Sequence, residues 1–230
     1  MMDKIGIKVL KVELSHHAQF ALPSIRLLTA ESGLYDRLLR RMLPFGAGLA
    51  DLRVETAVQN IADAAVSCWL FQFTTLVRVR AERFEINYTK IPEQDVQDRL
   101  IVQVFEAVKE SDPGIEILSH TITLNLHGKL DEGIPSADFL SQYVKAAPTG
   151  LGPTSGSGFI YYFPGHEKRQ ASSLIMEPSR LYPGGLFVQG VTIFDAKQIP
   201  LQDVMTAAWD YYRAAGEHFG LEEGKVNHGA

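Results

Sequence analysis

The chain has 230 residues, 46% of them hydrophobic and 21% charged, with a net charge of -5. These totals fit one large or two small folded units with a proper core, and the negative balance argues against a nucleic-acid partner, which needs a basic face. Cys68 is the only cysteine, which excludes an intrachain disulfide and suits a reducing compartment; no apolar run nears the ~20 residues that span a bilayer. The opening Met1-Met2-Asp3-Lys4-Ile5 lacks a signal peptide's apolar stretch, so a cytoplasmic protein without a membrane partner is expected.

In chain order, Ile5, Ile7 and Val9 alternate with polar or small residues, and so do Leu10, Val12 and Leu14. Both runs have a strand's two-residue period, but the phase flips between Val9 and Leu10, which predicts a bulge or strong bend. Between Pro23 and Pro44 the pattern turns helical: Leu34, Leu38 and Met42 form an apolar stripe, with Arg37, Arg40 and Arg41 mostly away from it. Ser32 is the expected cap, and a solvated face is the plainer reading of the arginines. From Leu49 to Tyr88 the series Val54, Val58, Val66, Cys68, Trp69, Phe71, Phe73, Val77 and Val79 predicts three or four antiparallel strands. Arg78 and Arg80 alternate with Val77 and Val79, and Arg83 and Glu85 repeat that arrangement, as cross-strand ion pairs on a wet face would.

Pro92 suits a first helical turn, and Glu93 and Asp95 complement its dipole. Val96, Leu100, Val104 and Val108 form a core stripe that stops at Ser111-Asp112-Pro113-Gly114. A strand follows at Ile115 to Leu126, with a phase shift between Ile117 and Leu118, then a short helix from about Ser136 to Lys145. After the Gly/Ser/Pro-rich segment Thr149 to Gly158, strands are expected at Phe159 to Phe163, about Ala171 to Glu177, and Leu186 to Phe194. Gly165 to Lys168 reads as a hairpin turn. The last helix, about Pro200 to Phe219, buries Val204, Ala208, Tyr211, Tyr212, Ala215 and Phe219.

Ile91-Pro92-Glu93-Gln94-Asp95-Val96 returns as Ile199-Pro200-Leu201-Gln202-Asp203-Val204, roughly 108 positions later (199 minus 91). The expected class is therefore α+β, with two pseudo-repeated halves, 1–113 and 114–220, each strand, helix, antiparallel strands and long helix. A polar tail, 221–230, is expected to fray. A meandering sheet buries one face only against something else, so the sheets should join into one curved sheet with both long helices on a shared face.

Chemistry is harder to find. The Gly-rich segment lacks the Gly-Lys-Ser/Thr ending of a phosphate loop, and a strand follows it rather than a helix. His16 and His17 are adjacent, His120 and His127 fall on opposite faces of a regular strand, and no metal-ligand spacing occurs. Cys68, in an apolar run before Trp69, reads as buried and structural. No Gly-x-Ser-x-Gly elbow is present. No nucleophile, base and orienting group come together, so neither a catalytic residue nor a cofactor is assigned. Aromatics are the remaining clue, since Tyr161-Tyr162-Phe163 has rings on both faces and leaves one outside the main core. The candidate ligand-binding residues are Arg78, Arg80 and Tyr88, which bring charge and a phenol to neighbouring strands, together with Tyr161 and Tyr162.

The hairpin from Leu76 to Tyr88, with Val77-Arg78-Val79-Arg80-Ala81-Glu82-Arg83-Phe84-Glu85-Ile86-Asn87-Tyr88, resembles one in a sporadically distributed family of uncharacterised bacterial proteins of about 230–260 residues. The end, Leu186 to Phe219, is similar to that family's final strand, polar turn and long helix. Asn87-Tyr88 departs from the Asn-Trp expected there, and the resemblance brings no activity or functional residue. At the level of fold, the order of elements also resembles SecB-like chaperones and helix-grip ligand carriers. The expected function is a non-enzymatic binding protein that holds an apolar small molecule or an extended polypeptide between sheet and helices. The alternative is a structural or assembly subunit, with a protein partner or a homodimer as the expected contact.

Overall fold

A strand that alternates polar and apolar residues buries one face, and a one-residue slip exchanges its faces. The first strand, β1 (Ile5–Phe20), does both. Ile7 is buried before the slip, and Leu14, His16, Ala18 and Phe20 after it. Its ladder to β6 (Ile117–Leu130) steps from Val9 opposite Gly128 to Lys11 opposite His127, which leaves Leu10 as the extra residue of a bulge. A second step, from Gln19 opposite Ser119 to Phe20 opposite Ile117, leaves out Leu118. Both bulges fall where the sequence changes phase.

The computed structural model describes residues 5–55, 59–144 and 156–223. The first half adds α1 (Leu34–Met42), β2 (Leu52–Glu55), β3 (Ala65–Leu70), β4 (Thr75–Val79), β5 (Arg83–Tyr88) and α2 (Gln94–Ser111). The second adds α3 (Ser136–Ser141), β7 (Phe159–Phe163), β8 (Arg169–Pro178), β9 (Leu186–Asp195) and α4 (Val204–His218), then β10 (Leu221–Glu223). Short 3-10 turns precede α1 and α4. The strands form one sheet in the order β2-β3-β4-β5-β1-β6-β9-β8-β7, antiparallel throughout, and β10 pairs with β1 in parallel. This is an α+β fold. Among the described residues no helix is long and apolar enough to cross a membrane.

The helices cover one face of this sheet. Leu34, Leu38 and Met42 of α1 and Leu100, Ile101, Val104 and Val108 of α2 pack over Leu14, Ala18, Val77, Phe84 and Ile86 in the larger core, which Val204, Met205 and Ala208 of α4 also enter. Each large apolar side chain buried this fully contributes about 1.5–3 kcal/mol. A smaller core joins Ile7, Leu130, Phe139, Leu140, Leu174, Met176 and Phe219. The opposite face of β1 and β6 carries half-buried polar residues such as Ser15, Gln19, Thr121 and Thr123.

Several boundaries differ from the sequence expectation. α1 takes Gly33 as its cap, while the Ser32 hydroxyl accepts the Leu34 N–H at 3.1 Å. α2 begins after Glu93, so Pro92 precedes the helix. α4 begins at Val204 because residues 201–203 wind more tightly. β6 runs on to Leu130, since β1 offers a partner that far. Residues 221–223 of the expected tail form β10, with Leu221 opposite Ile5. Val58, Lys145, most of the Gly-rich segment and residues 224–230 lie outside the described residues.

The turn from β3 to β4 is strained. Phe71, Gln72 and Phe73 follow one another at φ 51°, 56° and 67°, a left-handed conformation that costs an L-residue about 1–2 kcal/mol. Phe71 meets the Phe45 ring and Phe73 the Trp69 ring, so those two side chains offset some of the strain, while Gln72 is exposed. Replacing Gln72→Gly is expected to raise the unfolding free energy by about 1 kcal/mol, read from the urea midpoint at unchanged slope.

Candidate functional site: a cavity under the last helix

The two cores do not merge. Between them lies a cavity of about 890 Å³. Its floor is the helix-facing side of four strands: Ile7, Val9 and Val12 of β1, Leu124 and Leu126 of β6, Val188 and Gly190 of β9, and Leu174 and Met176 of β8. Its walls are α4, through Trp209, Tyr212, Ala215 and Gly216, and the segment from Ile91 to Gln97 that leads into α2. Leu221 of β10 closes one side. On that edge of β1 the ladders cover Ile5–Ile7 and Leu14–Gln19, leaving residues 8–13 between them.

The aromatic wall is pinned by hydrogen bonds. The Tyr212 hydroxyl lies 2.9 Å from the Ile122 carbonyl and 3.2 Å from that of Gly190, so it donates to sheet backbone on β6 or β9. Its ring lies against Gly190, where a Cβ would come within 2.4 Å of it. Burial pushes its phenol well above the ordinary value, which keeps it a neutral donor. Trp209 Nε1–H donates to Gln97 Oε1 at 3.3 Å, Gln97 Nε2 donates to the Pro92 carbonyl at 2.7 Å, and Gln94 Nε2 donates to Thr206 Oγ1 at 2.5 Å. α2 and α4 therefore meet at this end through polar groups. At the rim, Arg213 pairs with Asp210 at 2.9 Å, and the exposed Glu93 and Glu217 carry the remaining charge.

The five candidate ligand-binding residues are not brought together. Arg78 and Arg80 lie on β4 and just after it, on the face away from the helices. Arg80 Nε sits 3.4 Å and Arg83 Nε 2.6 Å from Glu85 Oε1. The first pair crosses strands as expected, but Arg83 shares β5 with Glu85, and Glu85 is buried rather than on a wet face. Tyr88 is 1% exposed on the other side, inside the larger core, and burial followed by the Asp98 charge raises its phenol. Tyr161 and Tyr162 belong to β7 at the far end of the sheet, on opposite faces of that strand. None of the five lines the cavity. The sequence held two pointers to the residues that do: Gly190 inside an apolar strand, which marks a close approach, and the repeated Ile-Pro segment at Ile91.

A second polar feature joins distant parts of the chain. His16 and His120, on adjacent strands, are both buried, with His16 Nε2 3.0 Å from His120 Nδ1. His16 Nδ1 has no partner among the described residues, so its proton sits best on Nε2, donating to His120. Burial, then the charge of His120 and of His17, would hold His16 well below the ordinary histidine value, and burial lowers His120 to about 4. His127 faces the other way, against Ser179 at 2.9 Å. Among the described residues no three His, Cys, Asp or Glu side chains gather where a metal ion could be held.

Comparison with family models and with curated proteins finds no match. Among solved structures, the chain aligns with Methanococcus jannaschii TBP at 13% identity over 92% of this chain and 99% of that one, with a TM-score of 0.31. A likeness this loose assigns nothing.

The histidine pair carries a pH prediction. Between the ordinary value near 6.5 and about 4, the unfolded chain binds protons that the folded pair excludes, so unfolding is favoured as pH falls. Stability is expected to be full above pH 6.5 and to fall by up to about 1.4 kcal/mol per pH unit per histidine below it. Urea unfolding at pH 7 and pH 5 measures this, and the double variant His16→Leu/His120→Leu should show a smaller difference than the parent.

Proposed function

We propose that this chain is a non-enzymatic binding protein that holds an apolar small molecule in the cavity between sheet and α4. The observation that carries the reading is the cavity itself. Its 890 Å³ lies within the roughly 300–1,000 Å³ of ligand pockets, with an aliphatic floor, an aromatic wall and a few polar groups at the mouth. The polar groups nearest the floor, Tyr212 and Gln97, already have protein partners, so an occupant is held by burial of apolar surface rather than by hydrogen bonds. An extended polypeptide is the second reading, favoured by the stretch of β1 edge, residues 8–13, that lies between two ladders beside the cavity.

The scaffold is read as two copies of one ancestral unit. The bulges at Leu10 and Leu118 are 108 positions apart, as are the Ile-Pro segments at Ile91 and Ile199. The strand order runs outward from the β1–β6 pair as β5, β4, β3, β2 on one side and β9, β8, β7 on the other.

Native mass spectrometry, compared with the denatured mass, tests the binding reading: a retained small molecule or saturable uptake of an apolar fluorescent dye is expected. Val188→Trp, which projects an indole from the floor, is expected to weaken dye binding by about tenfold or more with an unchanged fold by circular dichroism. A protein that takes up neither ligand nor dye overturns the reading. Dye uptake that Val188→Trp leaves unaltered places the ligand elsewhere.

A further inference from the structure

The two ends of the sheet are built differently. At one end, β2 is four residues long and carries Arg53 and Glu55, the charged short edge that discourages pairing with another chain. At the other end, β7 reads Phe159-Ile160-Tyr161-Tyr162-Phe163, with no charge, no proline and no bulge in its ladder to β8. Its outer edge has no strand partner among the described residues. Ile160 is 49%, Tyr161 41% and Tyr162 79% exposed, an unusual display for an apolar strand.

We propose that β7 pairs with β7 of a second copy of this chain, antiparallel about a twofold axis at Tyr161, so that the sheet continues across a homodimer. Two considerations select a second copy as the occupant. Each chain carries a net charge of -5, and β7, being uncharged, is a place where two copies can meet with no like charges in direct contact. The strand is also self-complementary. With Tyr161 opposite Tyr161, Phe159 faces Phe163 and Ile160 faces Tyr162, the one register that pairs all five residues. Each rung then joins aromatic or branched side chains, the pairs that add most to cross-strand stability.

On the helix side, Phe159, Tyr161 and Phe163 already form a stripe, with ring centroids 4.9 and 6.2 Å apart; the first two rest on Phe219 and the third meets the Tyr211 ring. The twofold axis lays this stripe beside its copy and removes both from water. A five-residue edge buries less than the roughly 800 Å² per partner of a standard interface, so the dimer forms and dissociates with concentration.

Sedimentation velocity from low micromolar to several hundred micromolar protein is expected to show the mass rise from 25.5 kDa toward twice that value. Tyr162→Lys and Ile160→Lys, both at exposed side chains, should raise the dissociation constant by about tenfold or more, while Val54→Lys on the opposite edge leaves it unchanged. The register has its own test. Residues opposite each other across an antiparallel rung have Cα atoms about 4.5–5.5 Å apart, within reach of a disulfide. Tyr161→Cys is therefore expected to crosslink under mild oxidation and Phe163→Cys is not; the native Cys68 is fully buried. A mass that stays at 25.5 kDa throughout, or a dimer indifferent to Tyr162→Lys and Ile160→Lys, overturns the proposal. So does crosslinking at Phe163→Cys with none at Tyr161→Cys.

Discussion

The ladder between β1 and β6 is the constraint on which the rest depends. It joins the two halves of the chain, and each of its strands changes face at a bulge near its own start. Without those slips, Ile7 and Leu14 would point to opposite sides of the sheet. With them, both reach the helix side, one in each core. β5 and β9 flank this pair, and the Tyr212 hydroxyl anchors α4 to backbone on β6 or β9. The buried His16–His120 contact crosses the same ladder, so polar as well as apolar groups depend on its register.

The cavity follows from how the helices meet over that pair. α2 and α4 touch near their starts through Gln97–Trp209 and Gln94–Thr206. Side chains held in hydrogen bonds cannot also swing inward to fill the space, and the sheet below them offers only Ile, Val, Leu, Met and Gly. Close packing fails here while it holds on both sides. Above its aliphatic floor the void forfeits the dispersion contacts that close packing gives the cores on either side.

Much of the fold was legible because strands and helices write their periods into sequence. The alternation in Ile5 to Leu14 located the bulge at Leu10, and Val96, Leu100, Val104 and Val108 located α2. Ends were less legible, since they depend on partners: β6 reaches Leu130 only because β1 lies beside it, and residues 221–223 become a strand only against Ile5. The site was hardly legible at all. Arg78, Arg80, Tyr88, Tyr161 and Tyr162 stand out by residue type, but strand order puts the tyrosines of β7 at the far end of the sheet. The cavity is lined instead by ordinary Val and Leu whose character comes from what does not touch them. His16 and His120 are 104 positions apart, beyond any local pattern.

β1 comes first in chain order among the described strands and lies in the middle of the sheet. Its neighbours begin at Arg83, Ile117 and Leu221, so one edge stays bare until Arg83 is made and the other until Ile117 is. Pairing of such distant segments slows folding and leaves open strand edges in the partly made protein. Until those segments arrive, β1 is an unpaired strand open to the wrong companion.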